Sequence, residues 1–260
     1  MIPKIIHYCW FGGNPKPEVV QRCVASWKTH CPDYEIVEWN ETNYDVEANA
    51  FTKAAYAAKK WAFVSDMARL EIMVNHGGIY LDSDVEILQP DPFGAYMEYD
   101  NILVFETERA INSGLFMGAK KGSEMCRQLL KPYQENTYSK ENETINSVMN
   151  KPIIQSFFEG MEWNGFQQVI NNSCLMGIAE YGRLMNHHGM RSWCDHLPSY
   201  KVSKDNKLKR KLRNPKIFAW MEKRKGFRKL VPIYEFMVYD LLDLGVIYYF
   251  KRLWMKLKRK

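Results

Sequence analysis

Hydrophobic and polar positions change period several times along the chain. Ile5-Ile6-His7-Tyr8-Cys9-Trp10 is a β-prone run, stopped by Gly12-Gly13 and Pro15. From Glu18 to His30 the period lengthens: Val19, Cys23 and Trp27 fall four apart, on one helical face. Tyr34 to Trp39 reads as a second strand. This β-loop-α-β order predicts an α/β sheet. Two helical stretches follow. The second, Trp61 to His76, carries Phe63, Met67, Leu70 and Val74 on one stripe and is stopped by Gly77-Gly78. Ile79 to Leu88 reads as one strand with carboxylates midway. Residues 102–106 and 113–119 read as further strands, and 123–133 as a helix. Residues 135–186 are less regular, and the polar, aromatic segment Asn186 to Trp193 reads as a functional loop.

Composition adds a boundary. With 260 residues, 46% hydrophobic and 25% charged, the chain has ample material for one well-packed core. Its net charge of +6 is unevenly spread. Residues 201–260 hold 19 Lys and Arg against 5 Asp and Glu, whereas residues 1–200 hold 17 against 25. An acidic body, 1–200, therefore precedes a basic extension, 201–260. Within that extension Val231 to Phe250 is apolar but contains Glu235, Asp240 and Asp243, which suits an interfacial amphipathic helix better than a spanning one. Both flanks are basic and aromatic, as a headgroup boundary favours. This predicts peripheral attachment to the cytoplasmic face of a membrane. No nucleic-acid-binding motif accompanies the tail, so nucleic acid is not the expected partner. The six cysteines form no CxxC pair and the N-terminus lacks a basic start and apolar run, which predicts free thiols in a reducing cytosol.

The chemistry concentrates in Asp82-Ser83-Asp84. On a strand two acids two apart share a face, where they repel unless a cation lies near. Oxygen ligands suit Mg²⁺ or Mn²⁺, which bind substrate phosphates and can neutralise a departing diphosphate. The end of a buried strand is also where open α/β sheets bind ligands. Asp66 and Arg69, three apart on a helix, share a face, and the arginine fork suits phosphate or sugar hydroxyls. His187 and His188 are adjacent, so only one can reach an ion; imidazole favours Mn²⁺ over Mg²⁺. A metal-dependent phosphohydrolase would want more carboxylates or histidines near Asp82 and Asp84, and would leave Trp10, Asp66 and Arg69 without a role.

Phe63-Val64-Ser65-Asp66-Met67-Ala68-Arg69 followed by Gly77-Gly78-Ile79-Tyr80-Leu81-Asp82-Ser83-Asp84 resembles the core of the DxD sugar transferases of glycosyltransferase family 32. Pro3 to Gly13 is similar to that family's first strand, and the likeness extends over roughly residues 1–195. The resemblance implies a GT-A fold, with a Rossmann-like mixed sheet flanked by helices, and a Mn²⁺-dependent, anomer-retaining transfer. The expected donor is a nucleotide sugar, UDP-linked, and the acceptor a growing capsular or surface glycan, free or lipid-linked. Carried over by residue, Trp10 stacks on the base, Asp66 and Arg69 hold donor sugar and phosphate, Asp82 serves ribose and sugar, and Asp84 binds the metal directly. Tyr80, Asn112 and Ser113 join the donor set. His188-Gly189-Met190-Arg191-Ser192-Trp193 resembles the late loop, with His188 as a further metal ligand and Ser192 and Trp193 closing on the diphosphate. Glu143 and Gln155 are weaker polar candidates for stabilising the transition state.

Overall fold

The structure is a computed structural model that describes residues 1–108, 110–139 and 150–190. The basic extension, 201–260, lies outside the described residues. Along the chain run β1 (Ile5–Cys9), α1 (Glu18–His30), β2 (Glu35–Trp39), α2 (Ala50–Ala57), α3 (Trp61–His76), β3 (Gly78–Leu81), β4 (Val85–Ile87), β5 (Asn101–Thr107), β6 (Ala110–Ile111) and β7 (Phe116–Ala119). Then come α4 (Glu124–Gln134), α5 (Asn150–Phe157), β8 (Gln168–Ile170), β9 (Ser173–Met176), α6 (Ile178–Leu184) and β10 (Met185–His187). The α/β architecture expected from the sequence is present, as a mixed sheet flanked by helices.

The main sheet has the order β2-β1-β3-β7-β5-β9-β8, with β6 pairing on β5. β1, β2, β3, β5 and β9 point one way; β6, β7 and β8 run against them. The carboxyl ends of five strands and the starting ends of three therefore gather along one edge.

Side chains alternate across the sheet with period two. Ile79 and Leu81 enter one apolar cluster and Tyr80 the other; Ile102 and Val104 enter one, Leu103 and Phe105 the other. Because both faces are covered, these strands read as continuous apolar runs rather than as clean alternation. The first cluster is completed by Val19, Val20, Cys23 and Trp27 of α1, and the second by the buried faces of α2, α3, α4 and α5. Cys9, Cys23, Cys31, Cys126 and Cys174 are buried free thiols. Among the described residues no helix is long and apolar enough to cross a membrane.

Three readings are corrected. The run Ile79 to Leu88 is not one strand: β3 ends at Leu81, a turn closes with Val85 N–H on Asp82 O at 3.0 Å, and β4 leaves to pair with β10 in a separate ribbon. Asp and Ser favour such turns through their short polar side chains. The strand expected from Ser113 starts only at Phe116, because Asn112 Oδ1 accepts the Gly114 N–H at 2.8 Å and holds a turn there. Residues 185–187, expected to be loop, form β10, and the region expected to be irregular contains α5, β8, β9 and α6.

Candidate active site

Four segments meet at the carboxyl edge of the sheet. They are the β3–β4 turn, the middle of α3, the turn before β7 and the end of β10.

Arg69 is the structural centre. Its side chain is only 3% exposed, on a helix whose buried stripe includes Phe63, Met67 and Leu70. Nη2 lies 2.7 Å from Asp66 Oδ1 and 3.5 Å from Ser113 Oγ, and Nη1 lies 3.9 Å from Asp82 Oδ1. Burial opposes the guanidinium charge, but Asp66 and then Asp82 keep it protonated. Asp66 and Arg69 are thus a buried pair, of which breaking one member is costly, rather than a surface pair of little weight. The Nε of Arg69 finds no acceptor among the described residues. Gly114 allows this closeness: a Cβ there would stand 2.5 Å from Arg69 Nη1.

Asp82, Asp84 and His187 form the second feature. One ligand atom from each lies within 4.8 Å of the others. It is the turn that brings the two acids together, not the period of a strand. His187 Nε2 is 3.2 Å from Asp84 Oδ1, and the other carboxylate oxygen accepts Met190 N–H at 2.7 Å. Burial lifts Asp82 to about 7, with Asp84 adding to the rise and Arg69 opposing it. Burial would also lift Asp84, but the His187 imidazolium and the Met190 N–H hold it at about 2. His187 is opposed by burial too, yet Asp84, Asp82 and the Glu106 carboxylate raise it to about 9. The imidazolium therefore balances charge that a divalent cation would balance on replacing that proton.

The geometry fits such an ion. Neighbouring ligands on an octahedral ion at about 2.1 Å stand roughly 3 Å apart, close to the Asp84–His187 separation. Two carboxylates and an imidazole form a donor set that a divalent cation could use.

The remaining expected residues are placed as follows. Trp10, at the end of β1, donates Nε1–H to Asn14 O at 2.7 Å and packs partly against the core. Asn112 donates to Glu106 at 3.4 Å across the turn before β7, and Ser113 is buried behind it. Tyr80, expected in the donor set, is 1% exposed, with the Arg69 guanidinium 5.8 Å from its ring centre, so it backs the arginine. His188, expected as a metal ligand, points away from Asp84. Its side chain is 2% exposed and bonds Glu86 at 2.9 Å, while His187 faces Asp84. Neighbours on a strand face opposite ways, and it is the His187 ring that reaches the Asp84 carboxylate. Ser192, Trp193 and Glu143 lie outside the described residues; Gln155 is exposed on α5. Sequence reasoning missed Glu106. Its position at a strand's carboxyl end, just before a polar turn, was the available signal.

The family described as capsular polysaccharide synthesis protein matches this chain over residues 1–174. Subversion of eukaryotic traffic protein A of Legionella pneumophila is 24% identical over an alignment of 170 positions that covers 54% of this chain and 26% of that protein. The chain thus spans about a quarter of that relative's length. Among solved structures, the PaToxG glycosyltransferase is similar at 16% identity and a TM-score of 0.48, covering 60% of this chain and 69% of that one. A glycosyltransferase involved in glycosylation of the major capsid of PBCV-1 is similar at 14% identity and a TM-score of 0.37, covering 71% of this chain and 93% of that one. With the match running from the first strand through the Asp66/Arg69 helix and the Asp82–Asp84 turn, the chain belongs to the capsular polysaccharide synthesis protein family.

Proposed function

We propose that the chain moves a hexose from a UDP-linked sugar to a growing capsular or surface glycan, with retention at the anomeric carbon and with Mn²⁺ as the working cation. The observation that carries this reading is the convergence of Asp82, Asp84 and His187 beside the buried Arg69. A bound divalent ion would neutralise the diphosphate as it leaves. Asp84 and His187 would hold that ion, with Asp82 turned between it and the sugar. Arg69, fixed by Asp66, offers donors toward phosphate or sugar oxygens without having to reorganise. Asn112 and Glu106 line the side where the sugar and the acceptor hydroxyl would meet. The acceptor oxygen bonds to the anomeric carbon as the bond to the diphosphate breaks, and the acceptor's proton passes to the departing diphosphate oxygen. No strong base is then needed.

The basic extension supports a place for this reaction at the cytoplasmic face of a membrane, where lipid-linked acceptors are held. Phosphate in lipid headgroups, not in nucleic acid, is the anion it would meet.

The test is a panel of nucleotide sugars incubated with the full chain and Mn²⁺, scored by release of free sugar. One UDP-sugar should be hydrolysed, and excess chelator should stop it. Asp84→Asn should lower the rate by about a hundredfold or more, with the fold intact by circular dichroism. Full turnover by that variant, or in chelator, would sink the proposal.

A further inference from the structure

His187 belongs to neither the main sheet nor a long helix. It sits on β10, which among the described residues pairs with β4 alone, through Met185↔Ile87, Asn186↔Glu86 and His187↔Val85. A two-stranded ribbon of this length is marginal alone, and a slip of one residue would exchange the faces of His187 and His188. Something must therefore hold its register.

On the face away from His187, His188 Nε2–H donates to Glu86 Oε2 at 2.9 Å. Arg22 of α1 reaches the same pair, with Nε 3.8 Å from Glu86 Oε1 and Nη2 3.5 Å from His188 Nε2. Asn186 Nδ2 lies 3.2 Å from the same imidazole nitrogen. On the backbone, His188 N–H donates to Asp84 O at 3.0 Å. Asp84 is thus gripped at its carbonyl and, through Met190 N–H, at Oδ2, which leaves Oδ1 facing His187. The ribbon is also fastened to α1 by Trp27 Nε1–H on Val85 O at 2.7 Å and Ile87 N–H on Ser26 Oγ at 3.0 Å.

We infer that Glu86, His188 and Arg22 are positioning residues that lock the ribbon register and so aim His187 and Asp84 at the cation; this rests on the metal-site reading above. Glu86 and His188 share one face of the ribbon, His187 lies on the other opposite Val85, and Asp84 comes from the turn just before β4. The bond between them forms only in the register that turns His187 toward Asp84. Arg22 adds a tether to α1 and offsets the Glu86 charge. Partners that orient ligands in this way affect metal affinity although they never touch the ion.

Mn²⁺ binding by the full chain, followed by loss of the free-ion paramagnetic resonance signal, tests this without any turnover. Glu86→Gln and His188→Ala should each weaken Mn²⁺ binding about ten- to a hundredfold. The double variant should be no worse than the weaker single. His188→Gln, whose amide nitrogen reaches the place of Nε2, should restore most of the loss. His187→Ala should bind worst. Affinities within twofold of wild type for Glu86→Gln and His188→Ala, with His187→Ala impaired, would overturn the inference and leave the metal site standing. Equal loss in His188→Ala and His188→Gln beside an unaffected Glu86→Gln would make His188 a ligand and overturn it too. Loss of folded structure in metal-free Glu86→Gln and His188→Ala, with metal-free wild type folded, would assign Glu86 and His188 a purely structural part, with the same result. Unchanged binding by His187→Ala would remove the metal site itself, and the inference with it.

Discussion

His7 shows how tightly one side chain can be specified. It is 1% exposed in β1, with Nε2–H donating to Gly77 O at 2.9 Å and Nδ1 accepting Trp39 Nε1–H at 3.1 Å. Only the neutral tautomer with its hydrogen on Nε2 satisfies both. A proton on Nδ1 would set two donors face to face. Burial, with some help from nearby His76 and against the Gly77 carbonyl, lowers its pKa to about 4. The unfolded chain takes up this proton near pH 6.5, whereas the folded chain resists until about 4. The stability His7 contributes is thus complete above pH 6.5 and lost as pH falls toward 4. The stability gap between wild type and His7→Gln, measured by denaturant titration, should narrow by roughly 2 kcal/mol from pH 7.5 to pH 5. A gap that stays constant would contradict this. At the same scale, Asp66, Arg69 and Asp84 were marked in the sequence by the family resemblance more than by spacing and residue type, and the structure places all three at one edge of the sheet. The choice between His187 and His188 was not, since adjacency says only that they face apart, and what separates them is tertiary: the His187 ring meets Asp84 and the His188 ring meets Glu86.

At the scale of elements, the long helices α1, α3 and α4 and the strands β1, β2 and β5 were legible, and the short elements after residue 135 were not. α3 has its stripe and its stop in the sequence. β9, Ser173–Met176, is four residues buried on both faces, so it shows neither alternation nor length. The Asp82–Asp84 break was hidden for a related reason: apolar residues on both sides suggest continuity, while the hydrogen bond that turns the chain is local. The stop after α3 makes a measurable claim. Gly77 has φ +67°, and a Cβ there would lie 2.5 Å from Lys121 N and 2.9 Å from Ala119 O, both backbone atoms. Gly13 has φ +64° with nothing within 4 Å of such a Cβ. Gly13→Ala should cost about 1–2 kcal/mol through conformation alone. Gly77→Ala should cost about 3 kcal/mol or more, lowering the melting temperature by roughly 6–12 °C. Equal shifts in the two variants would show that the clash is relieved by movement.

Over the whole molecule, the imbalance between an acidic body and a basic extension was the plainest statement in the sequence, and its consequence is a matter of surface attraction. With Lys223, Arg224, Lys225, Arg228 and Lys229 changed to Gln in the full chain, co-sedimentation with anionic vesicles should fall by a hundredfold or more, at about 1 kcal/mol per charge. Hydrolysis of the nucleotide sugar should persist. Undiminished sedimentation would refute the attachment. The sheet itself carries a quieter consequence. Since β7 and β8 run backward, each hands its entry segment to the reactive edge: 112–114 before β7 and 165–167 before β8. Their exits, near 120–122 and 171–172, fall on the far side. A lineage can thus lengthen or rewrite the entries and change what is sugared, while the exits and everything behind them drift only as far as the scaffold tolerates.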